Sequence, residues 1–234
     1  MNVKGSKILV TGGSLGIGKA TAKLLVENGA RVAVTGRDEG RLRRAADETG
    51  AFPIMADVGI PRDVEKTYET VMAELGGLDC LVNNAGVGCA RRMEEALWED
   101  FEKVFRVNVY GAAIMAARAV EIFKKQKYGN IVNIGSTAAL KGYEGETVYA
   151  ASKFALRGMT QCWHIELRKH NIRVVLINPS EVATAIGSVK REERVAPPNK
   201  LRSSEIAHAV MSVLAMDDRG FIPELSVWAT NPWS

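Results

Sequence analysis

The feature that most constrains this chain is a rhythm. Short apolar runs rich in β-branched residues return along it, with longer helix-compatible stretches between them. The runs are KILVT (7–11), RVAVTG (31–36), FPIMA (52–56), LDCLVN (78–83), NIVNIG (130–135), IRVVLIN (172–178) and ELSVWA (224–229). Most are apolar almost throughout and do not alternate, which is how strands buried on both faces read. The stretches between them are 16–28, 38–49, 62–75, 95–127 with a break, 147–170 and 203–216. Each is long enough to be a crossover helix. Repeated β-α-β units with right-handed crossovers give one parallel sheet with helices on both faces. The expectation is therefore a doubly wound α/β fold. No linker-like shift in composition divides residues 1–234, so one domain is expected.

Composition excludes several classes. With 47% hydrophobic and 25% charged residues the chain resembles an ordinary globular protein. No apolar run reaches the roughly 18 residues of a membrane span. The opening MNVKGSKILVTGG has too short an apolar segment for a secretory signal, so a cytoplasmic protein is expected. Cys80, Cys89 and Cys162 form no C-x-x-C pair; they are expected to be reduced and mostly buried. His164, His170 and His208 show no metal-ligand spacing with acidic neighbours, and no metal is expected. The net charge is +4, but acidic residues interleave most of the basic runs, so a nucleic-acid groove is not expected.

The first run leads into KILVTGGSLGIGKATAKLL, a strand, a turn and a helix. Gly12, Gly16 and Gly18 are spaced G-x-x-x-G-x-G. Gly12 is expected to allow the tight turn, Gly16 to let a pyrophosphate reach bare backbone, and Gly18 to permit close helix packing. Ser14, Leu15 and Ile17 complete this wall, and the helix starting near Ser14–Gly16 aims its amides at the phosphates. Lys19 follows Gly18 without a hydroxyl after it, which argues against a nucleoside-triphosphate loop.

The second run ends VTGRDEGR. Gly36 stands where an acid would receive a ribose hydroxyl, and Arg37, suited to a 2′-phosphate, follows it. Asp38 is expected to cap the next helix. NADP(H) is therefore favoured over NAD(H), although Leu15 supplies no second phosphate partner. The other runs also end in chemistry-bearing loops: Asp57 and Val58, set for the adenine; Asn83, Asn84, Ala85 and Gly86; Ser136; and INPSEVAT, with Pro179, Val182 and Thr184. Ligands of open α/β sheets bind at such carboxyl ends. The charged, proline-containing segment 185–204 is expected to form a lid over a substrate.

Tyr149 and Lys153, in ETVYAASKFALRGMTQ, are one helical turn apart and so share a face. Together these residues carry a family pattern. TGGSLGIG, NNAG, Asn108 in VNVYG, Ser136 and YAASK occur in the order and spacing of the short-chain dehydrogenase/reductase family. The chain resembles its compact, single-domain, carbonyl-reductase-like branch along its whole length. The resemblance implies a seven-stranded parallel Rossmann fold, a nicotinamide cofactor and a catalytic set of Asn108, Ser136, Tyr149 and Lys153. It also implies a small carbonyl or alcohol substrate and a homodimer or homotetramer. Ser180 departs from the glycine the family commonly has there.

In this reading Tyr149 is the general acid and base. A neighbouring ammonium, Lys153, is expected to lower the phenol from its ordinary value of about 10. Ser136 would hold the substrate oxygen, and Asn108, near the helix break, would hold a water that resupplies protons. Two other readings compete: a cofactor-binding sensor or scaffold without turnover, and a sugar-nucleotide epimerase or dehydratase. The second group usually needs a larger C-terminal substrate domain.

Overall fold

The structure is a computed structural model that describes residues 1–184, 186 and 195–232. The seven apolar runs become strands β1 (Lys7–Val10), β2 (Arg31–Gly36), β3 (Phe52–Met55), β4 (Cys80–Asn83), β5 (Gly129–Ile134), β6 (Ile172–Pro179) and β7 (Glu224–Val227). The helices are α1 (Gly16–Glu27), α2 (Glu39–Thr49), α3 (Pro61–Leu75), α4 (Trp98–Phe105), α5 (Ala112–Gln126), α6 (Thr147–Leu167) and α7 (Ser203–Ala215). The break expected in 95–127 is a π turn, Arg106–Gly111, between α4 and α5.

All strands are parallel, in the order β3-β2-β1-β4-β5-β6-β7. The chain winds outward from β1 to β3, then returns to β1's other side at β4. This is a Rossmann fold, and the reversal between β1 and β4 opens a crevice at the strand carboxyl ends. Successive strand residues face opposite layers. Ile8, Val10, Val82, Ile134 and Ile177 pack beneath α1 and α7; Leu9, Leu81, Ile131 and Val174 pack beneath α3 and α5. Each such fully buried aliphatic side chain contributes about 1.5–3 kcal/mol. Both layers are apolar, so the strands read as continuous apolar runs.

Local chemistry sets the helix ends. The Asp38 carboxylate accepts the Arg41 N–H at 2.8 Å and starts α2 as expected. Gly50 and Gly76 close α2 and α3 in the left-handed conformation. The cysteines differ from expectation: Cys80 is buried in β4, Cys89 is partly covered, and Cys162 is exposed on the outer face of α6. A helix exposes one stripe whatever residue occupies it, and Cys162 falls on that stripe with Ile165. His164 packs edge-on against Phe221, with ring centres 4.9 Å apart. Among the described residues no helix is long and apolar enough to cross a membrane, and no three His, Cys, Asp or Glu side chains gather as a metal site.

Candidate active site

The strand tips line an open cleft of about 230 Å³. Its floor is the glycine turn, where Gly12 takes φ +67°. Gly18 does not reach the cleft. A Cβ there would sit 2.3 Å from the Gly12 carbonyl oxygen and 2.4 Å from Asn84 Nδ2, so glycine is what lets α1 close onto the loop. Asn84 Nδ2 donates to the carbonyls of Thr11 and Gly12 at 2.8 and 3.0 Å, and Thr11 Oγ1 accepts the N–H groups of Asn84 and Ala85 at 3.0 Å. The two loops flanking the crevice are therefore stitched together through Thr11. Sequence reasoning missed this residue; its signal was a hydroxyl at the tip of β1.

One end of the cleft is rich in charge. Arg37 Nη1 lies 3.5 Å from Asp57 Oδ2, and Asp57 Oδ1 also accepts the Gly59 N–H at 2.9 Å. Arg41 lines the same end, its guanidinium 3.2 Å from the Asp38 carboxylate. Sequence reasoning missed Arg41 as well. The cap itself was the signal, because Asp38 holds the backbone of Arg41 at the cleft mouth. A Cβ at Gly36 would press on Leu42 and Ser14 at 3.1 and 3.3 Å, so the tip of β2 has little room for an acid.

The other end carries Ser136, Tyr149 and Lys153. Ser136 follows β5 and accepts the Ala138 N–H at 3.1 Å, which fixes its position at the rim. Its side chain lines the cleft together with Tyr149 and Lys153. Lys153 Nζ lies 5.7 Å from the Tyr149 ring centre and donates to the Ile134 carbonyl at 2.9 Å. Here the electrostatics differ from expectation. Burial pushes the Tyr149 phenol up to about 12; Ser136 partly opposes this and Glu146 adds to it. Burial also pulls Lys153 down to about 8. Desolvation is the largest cause for both groups, and the ammonium is directed at a carbonyl.

Asn108 sits in the π turn, 1% exposed, but its side chain does not face the cleft. Its Oδ1 accepts the Val87 N–H, and its Nδ2 donates to the Val87 carbonyl and to Ser152 Oγ, at 2.9, 2.9 and 3.0 Å. That amide is committed to protein partners, which leaves the expected water no place on its donors.

Ser14, Leu15, Gly16, Ile17, Val58, Ala85, Gly86, Pro179, Val182 and Thr184 all lie where expected, on the cleft wall. Ser180 lines it too, donates its N–H to the Val227 carbonyl at 2.9 Å, and avoids the left-handed conformation that would require glycine. Of the expected lid, residues 185 and 187–194 lie outside the described residues. Its distal end is held by a bridge between Val182 and Leu201 and then runs into α7.

The fold and this cleft define an oxidoreductase of the nucleotide-binding α/β class. Residues 6–195 match the family model for short chain dehydrogenases, and the chain belongs to that family. It is 34% identical to an uncharacterized oxidoreductase of Thermotoga maritima over 95% of this chain and 94% of that one. A metagenomic short-chain oxidoreductase solved in complex with NADP superposes with a TM-score of 0.85 at 30% identity, covering 98% of this chain and 99% of that one. A 3-ketoacyl-(acyl-carrier-protein) reductase from Brucella melitensis, complexed with NADH, gives a TM-score of 0.90 at 27% identity, with 98% and 99% covered.

Proposed function

We propose that residues 1–234 act as one catalytic unit that reduces a carbonyl, or oxidises the corresponding secondary alcohol, with NADP(H) in preference to NAD(H). The observation that carries this reading is the gathering of Ser136, Tyr149 and Lys153 on one cleft floored by a glycine turn, with Lys153 Nζ 5.7 Å from the Tyr149 ring centre. The residues present fit a dinucleotide. A bare turn at the N-terminus of α1 suits the pyrophosphate, and Arg37 with Arg41 suits a 2′-phosphate. The NADP-bound relative supports that choice, while the NADH-bound one supports only the wider nicotinamide class.

When bound, the nicotinamide supplies or accepts hydride. The chain's own residues do the rest. Ser136 holds the substrate oxygen, and Tyr149 gives that oxygen its proton in reduction or removes it in oxidation. Lys153 offers its ammonium to the ribose hydroxyls and, beside the phenol, opposes the burial that favours the neutral form. The exposed apolar side chains of Tyr110, Phe154 and Ile165 are where we place contacts in a homodimer or homotetramer, measurable by light scattering.

The test follows NADPH oxidation against aldehydes, ketones, steroids, quinones and β-ketoacyl thioesters. Turnover of at least one class, faster with NADPH than with NADH, is expected. Tight NADPH binding with no turnover across the panel would support a sensor instead.

A further inference from the structure

Ser152 has no part in the chemistry above, yet it is 0% exposed and lies between the two residues that carry it. Its hydroxyl donates to the Tyr149 carbonyl at 2.7 Å and accepts a proton of Asn108 Nδ2 at 3.0 Å. That carbonyl belongs to the helical turn joining Tyr149 to Lys153. The Asn108 amide in turn makes two bonds to the backbone of Val87, directly after Gly86. A Cβ on Gly86 would find Asn108 Oδ1 at 3.5 Å and Lys153 Nζ at 3.8 Å, so amide and ammonium flank the same point. The bonds thus run unbroken from the cleft wall at Val87, through the π turn, to the backbone of the turn bearing the phenol.

We propose that Ser152 is a positioning residue that, through Asn108, fixes the depth at which Tyr149 and Lys153 stand relative to the loop after β4. This rests on the acid–base reading of Tyr149. The hydroxyl is suited to the role because it accepts from the amide and donates to the carbonyl at once. Alanine would leave one Asn108 proton without a partner in a closed space, and the amide would no longer be held from both sides. Nothing else described on α6 bonds to Asn108, so the helix would lose its side-chain link to the π turn. Small errors in the placement of reacting groups are costly to turnover even where binding is intact.

The experiment compares Ser152→Ala, Ser152→Cys, Asn108→Ala and the Ser152→Ala/Asn108→Ala pair. It reads kcat with ethyl acetoacetate or the best carbonyl of the panel, NADPH dissociation by fluorescence, and hydrogen exchange at the Val87 amide. Ser152→Ala should lower kcat about 10- to 100-fold. NADPH affinity should stay within about twofold, and Val87 should exchange about tenfold faster, since its acceptor Asn108 is loosened. The loss should largely disappear when Asn108 is already alanine, because one chain of bonds is broken either way. Ser152→Cys, of similar size but a weak hydrogen-bonding group, should fall between, and it serves if the alanine variant does not fold. Unchanged kcat in either variant, equal losses in kcat and NADPH affinity, or full additivity with Asn108→Ala would overturn the proposal. Should wild-type protein turn over no carbonyl, the acid–base reading falls. Val87 exchange still decides whether Ser152 holds Asn108.

Discussion

The two ends of the cleft are built on opposite physical terms. At the end carrying Arg37 and Arg41, cations are partly exposed and each is tethered by one carboxylate, Asp57 or Asp38. Such pairs contribute about 0–1 kcal/mol and are screened by salt. At the end carrying Tyr149 and Lys153, the ammonium is buried and donates to the Ile134 carbonyl, and the phenol beside it is half-buried. The first end can trade partners readily, as recognition of a ligand charge requires. The second resists rearrangement and is governed by proton concentration more than by ionic strength.

The sharpest way to break this contrast is Tyr149→Phe. It removes the proton donor and leaves the glycine turn and both arginines intact. Turnover should fall by about 10²–10⁴-fold, with NADPH dissociation measured by fluorescence within about twofold of wild type. Arg37→Ala attacks the opposite end. It should weaken NADPH by about 10- to 100-fold in the same titration and leave NADH nearly unchanged, as expected for a lost charge-assisted contact. Equal losses for both nucleotides would remove the 2′-phosphate assignment.

Next comes pH, acting on Lys153, whose folded value of about 8 lies below the usual lysine value near 10.4. Below about pH 8 the folded chain carries the buried ammonium and bears its desolvation in full. Between about 8 and 10.4 the unfolded chain holds a proton that the folded one does not, so this group's contribution to stability rises with pH there. Nicotinamide-nucleotide affinity should move the other way, falling by up to about tenfold per unit above pH 8 as the ammonium is lost. Melting and binding measured across that window check both signs; parallel trends would refute the assignment. The smallest expected effect is from Asp57→Asn, which releases Arg37 from a carboxylate while keeping an acceptor for the Gly59 N–H. NADPH affinity should rise by no more than a few fold, and less at high salt.

The fold was legible because strands covered on both faces are mostly apolar, as in IRVVLIN, which is buried throughout and whose polar Arg173 and Asn178 stand near its ends. The glycine turn was legible because Gly12 and Gly18 answer local demands, a left-handed φ and a close contact. Arg41 escaped notice because its place depends on how the Asp38 cap sets the first turn of α2. The bonds of Asn108 to Val87 were not legible, since Val87 lies 21 positions away and only the folded chain joins them. The direction of the Tyr149 shift was also hidden. Spacing along a helix shows which charge is near, but it says nothing of how much water has been removed from both.

The π turn has a consequence for how this gene can vary. One residue advances an α-helix by about 100°, so the wider turn at Arg106–Gly111 works as a phase correction between α4 and α5. It lets Val104 on one side and Met115, Ala119 and Phe123 on the other meet the interior at the same time. Deleting a single codon there would restore a regular helix and rotate one half out of register with its layer. Single-residue deletions should be tolerated far less here than in the surface turns that join the other elements, although this stretch exposes Tyr110 and looks on the surface like any other helix.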